Sequence, residues 1–127
     1  MVSMQYDKTL VVDILNQIID AVESIDKKCK WAKNEDDFCH TEQGQEKLDS
    51  ICMKLIATGE SLKNIDKITN KELLLKYPEI QWTKIKGIRD ILSHHYFDLD
   101  ANIIFEICTE HIDKLLITLK QIRSDLI

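Results

Sequence analysis

A chain of 127 residues, 44% hydrophobic and 31% charged, has the size of one domain, 1–127, able to bury a core of its own. Its net charge of −5 argues against a protein that coats nucleic acid through a broad basic face, while leaving room for a local basic pocket. No apolar run is long enough to span a bilayer and the first residues lack a signal-peptide pattern, so the expected compartment is cytoplasmic.

Three glycines and one proline give little punctuation for a β-rich fold, and the abundance of Leu, Ile, Lys, Glu and Asp favours helix. The first predicted helix covers residues 7–28. Leu10, Val11, Ile14, Leu15, Ile18, Val22 and Ile25 recur at the spacing of one apolar stripe. Asn34-Glu35-Asp36-Asp37 is a polar break. Thr41 then suits an N-cap, with Glu42 in the first turn of a second helix. Its stripe is Leu48, Ile51, Cys52, Leu55, Ile56 and Leu62. Gly59 lies inside this helix, where it costs ~1 kcal/mol against Ala; close approach of another helix is the favoured reason.

Residues 71–76 are expected to form a short helix, ended or redirected by Pro78. A fourth helix is expected to begin near Pro78-Glu79, with Ile85, Ile88, Ile91 and Leu92 on its inner face and Trp82 one turn earlier. Phe97 to Asp100 is a connector, and Asp100 suits an N-cap. One last helix carries Ile103, Ile104, Ile107, Cys108, Leu115, Leu116, Leu119 and Ile122. Four long helices with short links pack naturally as an all-α antiparallel bundle, with the short helix in addition. The cysteines, Cys29, Cys39, Cys52 and Cys108, are expected to be reduced thiols. Cys39-His40 lacks the second close-spaced pair that zinc usually needs, so no metal site is expected.

The chemistry concentrates in Arg89-Asp90-Ile91-Leu92-Ser93-His94-His95-Tyr96. Arginine is a permanent, fork-shaped phosphate binder, and histidine exchanges protons near neutral pH. Arg89 and His94 lie about 140° apart around a straight helix. One compact site therefore needs the helix to loosen near Ser93-His94, or two copies to meet across a dimer. Asp90 and His94, one turn apart, let a carboxylate steady an imidazolium, and a helix C-terminus adds to that. The plainer alternative is a helix that ends in a His-Tyr cap. Lys84 and Lys86, with Arg89, make the stretch locally basic. His40 and His111 read as bystanders.

Arg89-x4-His94-x-Tyr96 resembles the signature of HEPN-domain ribonucleases, specifically the HepT-like toxins of toxin–antitoxin pairs. Ile56-Ala57-Thr58-Gly59-Glu60 is similar to the family's IGE segment, and Tyr77-Pro78-Glu79-Ile80-Gln81-Trp82 to its YPEIPW approach to the motif helix. Gly87-Ile88-Arg89-Asp90 resembles G-x-R-N with Asp for Asn, and Asp98-Leu99-Asp100 the exit. The ordered set covers roughly residues 10–120.

The resemblance implies a homodimer with both motifs in one cleft and metal-independent cleavage of RNA, in which the 2′-hydroxyl attacks its own phosphodiester and leaves a 2′,3′-cyclic phosphate. It implies Arg89 and His94 as the catalytic pair and Asp90 and Glu60 in support. Lys84, Lys86 and His95 are candidate RNA contacts. No cofactor is implied. The implied partner is an MntA-like nucleotidyltransferase antitoxin that silences the toxin of a type VII system by AMPylation of Tyr96. The alternative is a non-catalytic HEPN subunit that pairs with a nucleotidyltransferase.

Overall fold

The computed structural model describes residues 6–98 and 100–127, and the side chains of His95 and Tyr96 lie outside that description. Among the described residues the regular structure is entirely helical. Helix α1, Lys8–Trp31, starts where the Asp7 carboxylate accepts a hydrogen bond from the Leu10 amide at 3.1 Å, which satisfies one of the orphan donors of a helix start. Val11, Leu15, Ile18, Val22 and Ile25 are buried as the periodicity requires, together with Ile19. Leu10 stays 44% exposed. The helix also runs one turn past its expected end.

The polar break is a 3-10 turn, Glu35–Phe38, that drives Phe38 fully into the core. Helix α2, Glu42–Ile68, is capped as expected, Thr41 Oγ1 accepting from the Gly44 amide at 2.9 Å. A short α3, Glu72–Leu75, follows, and then α4, Trp82–His95, which passes into a 3-10 turn at Tyr96–Asp98. Helix α5, Ala101–Glu110, is capped by Asp100, whose carboxylate accepts from Asn102 N at 2.9 Å. Helix α6, Ile112–Leu126, completes the chain. Helix α1 packs on α2, α5 and α6, and α2 also packs on α4. The result is the all-α, HEPN-like bundle expected.

Four expectations need correction. The C-terminal helix is two helices that meet at His111, although no Gly or Pro marks the joint. Helix α4 begins at Trp82 rather than at Pro78; Pro78 sits in the preceding turn, and the Trp82 indole N–H donates to Tyr77 O at 2.9 Å to fix the start. Ile91, assigned to the inner face of the fourth helix, and Ile103, placed in the apolar pattern of the last, are 50% and 47% exposed. Cys29 and Cys108 are not free thiols: a disulfide joins them across 79 residues, with Cα atoms 5.3 Å apart. The packing of α5 on α1 brings them together, which no local pattern could signal. Cys39 and Cys52 are free. Burial, with a smaller effect of Asp49, pushes the Cys52 thiol up to about 12, so it is an inert core thiol.

Candidate active site

The contact between α2 and α4 is set by Gly59. A Cβ at that position would stand 2.9 Å from Arg89 Cβ and 3.5 Å from the Lys86 carbonyl oxygen. The missing side chain therefore lets the backbone of α4 close on α2, and it brings Arg89 beside Glu60. Close helix approach was the expected role of this glycine; its partner was not legible.

Arg89 is held from two sides. Its Nε is buried and forms an ion pair with Glu60 Oε1, at an angle outside that of a hydrogen bond. Its Nη1 donates to Asp90 Oδ1 at 2.9 Å. The side chain keeps 36% exposure, so Arg89 is fixed yet reachable. Such preorganisation is what a group needs if it is to meet charge that develops in a transition state. Lys63 Nζ lies 3.9 Å from the same Asp90 oxygen. The Arg89 hydrogen bond first, then Lys63, and more weakly His94, hold the Asp90 carboxyl below the usual carboxylate range. His94 is exposed in the last turn of α4, one turn beyond Asp90. Arg89, Glu60 and Asp90 thus come together where α2 meets α4, and His94 follows Asp90 on the same helix, close enough to act on its carboxylate.

The candidate RNA contacts divide. Lys86 is committed to an ion pair with the buried Asp66 carboxylate. It lines an open groove of about 650 Å³ that runs between the end of α2 and α4 up to Asp90. Lys84 lies about 200° around α4 from Lys86; it is exposed and does not line the groove. His95 ends α4 and Tyr96 opens the 3-10 turn that follows, with both side chains outside those described. Sequence reasoning missed three groove residues, Lys63, Lys67 and Lys71. Their spacing, each four residues after the last, was the available signal.

Among the described residues, one group of three metal-type side chains comes together away from this motif. Glu106, Glu110 and His111 have ligand atoms within 4.8 Å of one another. All three are exposed, and nothing else there marks a site. His40, the other bystander, lies 3.7 Å from Asp36 on the surface.

The family described as "Ribonuclease HepT-like" matches residues 15–122. The chain belongs to the HepT-like ribonuclease family of HEPN proteins. It is 33% identical over 101 residues to "Gamma-glutamylcyclotransferase and putative RNase MJ0434" of Methanocaldococcus jannaschii, covering 80% of this chain and 42% of that protein. It is 28% identical over 103 residues to "Probable ribonuclease HepT" of Thermococcus cleftensis, covering 81% and 86%. It is 36% identical over 64 residues to "Putative RNase TTE0752" of Caldanaerobacter subterraneus, covering 50% and 54%. The chain thus spans about half the length of several of the curated relatives it matches. No solved structure matches it significantly.

Proposed function

We propose that this HepT-like chain is a metal-independent endoribonuclease, the toxin of a toxin–antitoxin pair, acting as a homodimer. The observation that carries the reading is Arg89 clamped between Glu60 and Asp90 with an exposed His94 one turn further on. In the reaction the ribose 2′-oxygen attacks the adjacent phosphorus and the bond to the 5′-oxygen breaks. The 2′-hydroxyl proton leaves to a base, and the departing 5′-oxygen takes a proton from an acid. The products are a 2′,3′-cyclic phosphate and a 5′-hydroxyl. His94 moves the protons, and Arg89 stabilises the charge on the phosphoryl oxygens. Two motifs in one cleft supply a base and an acid together. Exposed apolar side chains within the motif and beyond it, Ile91 and Ile103, support a second copy covering this region.

The same reading makes Tyr96 the point of control. AMP on its phenol adds an anion two residues from His94, which obstructs the RNA phosphate and competes for Arg89. The partner is then a nucleotidyltransferase antitoxin.

The test is RNA cleavage in EDTA. Wild type is expected to cut and to leave cyclic phosphate ends, and Arg89→Ala and His94→Ala to lose ~10²–10³-fold in rate each. Cleavage by the doubly substituted protein at the wild-type rate refutes the assignment. Mass spectrometry of the protein co-expressed with its nucleotidyltransferase is expected to find AMP on Tyr96; full neutralisation with Tyr96 unmodified refutes that part.

A further inference from the structure

The groove beside the motif has a composition unlike the rest of the chain. In a protein of net charge −5 it gathers Lys63, Lys67, Lys71 and Lys86 against Asp66 and Asp90. Lys86 is taken by Asp66, and Lys63 faces Asp90. Lys67 and Lys71 have no ion pair among the described residues, so the groove presents two uncompensated positive charges next to the Arg89 clamp.

Gly87 is the second, independent observation. Glycine in the middle of a helix weakens it, and Gly59 repays that by letting α4 close on α2. Gly87 does not: a Cβ built there meets nothing within 4 Å, and the position lines the groove. Packing among the described residues gives no reason for a glycine at that point. A bare helix wall that something else approaches closely does.

The backbone at the groove's far end agrees. Asn70 and Lys71 are both left-handed, at φ 53° and 63°, where glycine would be at ease and lysine is uncommon. The turn nevertheless keeps a lysine in the groove lining. From Lys63 to Lys67 is one helical turn, about 6 Å of rise, and Lys71 lies beyond the helix end. A single small anion would engage only part of this line, whereas a chain of phosphates would engage it all.

We propose that this groove is the track for the phosphate backbone of single-stranded RNA as it leaves the Arg89–His94 site, gripped by Lys67 and Lys71 and passing close over Gly87. The choice of RNA rests on the ribonuclease reading. The strand is single because in-line attack by a 2′-oxygen needs a nucleotide free to rotate out of helical geometry.

The probe is a single-stranded RNA oligonucleotide carrying 2′-O-methyl groups, which blocks the nucleophile and isolates binding from cleavage. Affinity for the full chain is followed against salt concentration. Each phosphate contact on a single strand contributes about 0.7 to the slope of log K against log salt. The double variant Lys67→Ala/Lys71→Ala is therefore expected to bind more weakly, with a slope shallower by about 1.4. Gly87→Leu is expected to weaken binding with its slope close to wild type, because it blocks the groove without removing a charge. Thermal unfolding of each variant separates loss of binding from loss of fold.

Wild-type affinity and slope in the lysine variant overturn the proposal, as does failure of the wild type to bind the probe. Equal, equally lysine-dependent binding of a duplex overturns the single-strand assignment. Unchanged RNA binding together with a lost complex with the nucleotidyltransferase also overturns it and makes the groove a protein contact. Lysine-dependent binding by a wild type that cleaves no RNA upholds the groove and refutes the ribonuclease reading. Cleavage with lysine-independent binding does the reverse.

Discussion

Two glycines of the α2–α4 region should respond differently to the same substitution. Glycine to alanine inside a helix gains about 0.8–1.0 kcal/mol from backbone propensity alone. At Gly87 nothing opposes the gain, since the added Cβ has no neighbour within 4 Å. At Gly59 the added Cβ would stand 2.9 Å from Arg89 Cβ, an atom tied to its backbone that cannot swing away. Overpacking of that kind costs about 1–3 kcal/mol, which equals or exceeds the propensity gain. At about 2.1 cal/mol/K per residue, a chain of 127 residues unfolds with an entropy near 270 cal/mol/K, so 1 kcal/mol moves Tm by about 4 °C. Gly87→Ala should then raise Tm by about 4 °C, and Gly59→Ala should melt about 4–11 °C below Gly87→Ala. Thermal unfolding followed by circular dichroism measures both. Because the clash falls on Arg89 itself, Gly59→Ala should also slow RNA cleavage more than its loss of stability accounts for. If Gly59→Ala gains as much stability as Gly87→Ala and keeps full activity, the close approach of the helices at Arg89 is not real and the site geometry built on it fails.

Three further outcomes follow from the same contacts. Asp90→Asn keeps an oxygen that can accept from Arg89 Nη1 and removes only the negative charge beside the substrate phosphate, so kcat/KM for RNA should rise several-fold; a fall would mean that the charge itself is needed to hold Arg89. Tyr77 donates to Asp125 Oδ2 at 2.6 Å, and partial burial first, then Asp125, push its phenol up to about 12. Its folded pKa lies above the ~10 of an unfolded tyrosine, so this contribution to stability is intact below pH 10 and lost as pH rises through about 12; ultraviolet titration of Asp125→Asn should show Tyr77 ionising earlier, and an unchanged midpoint would discount the contact. The Cys29–Cys108 disulfide closes a separation of 79 residues, and its reduction, or Cys29→Ser, should cost about 2–4 kcal/mol, seen as a Tm lower by roughly 7–15 °C; equal melting with and without reductant would count against the bond.

The features legible in the sequence were local ones. Helix stripes, the Thr41 and Asp100 caps and the Arg89-x4-His94 motif each depend on residues within a few positions of one another, whose geometry the helix repeat dictates. The ordered motifs also sufficed to point to the HepT-like family. What only the tertiary structure decided depends on how helices distant in sequence are set against each other. Gly59 was recognisable as a contact glycine, but its partner thirty residues on was not. Cys29 and Cys108 form a bond because α5 lies on α1, and the lysines of α2 become one wall of a groove because α4 supplies the other. Ile91 and Ile103 fit an apolar stripe yet remain exposed, because periodicity specifies which residues share a face and says nothing of whether the chain supplies a neighbour to cover it.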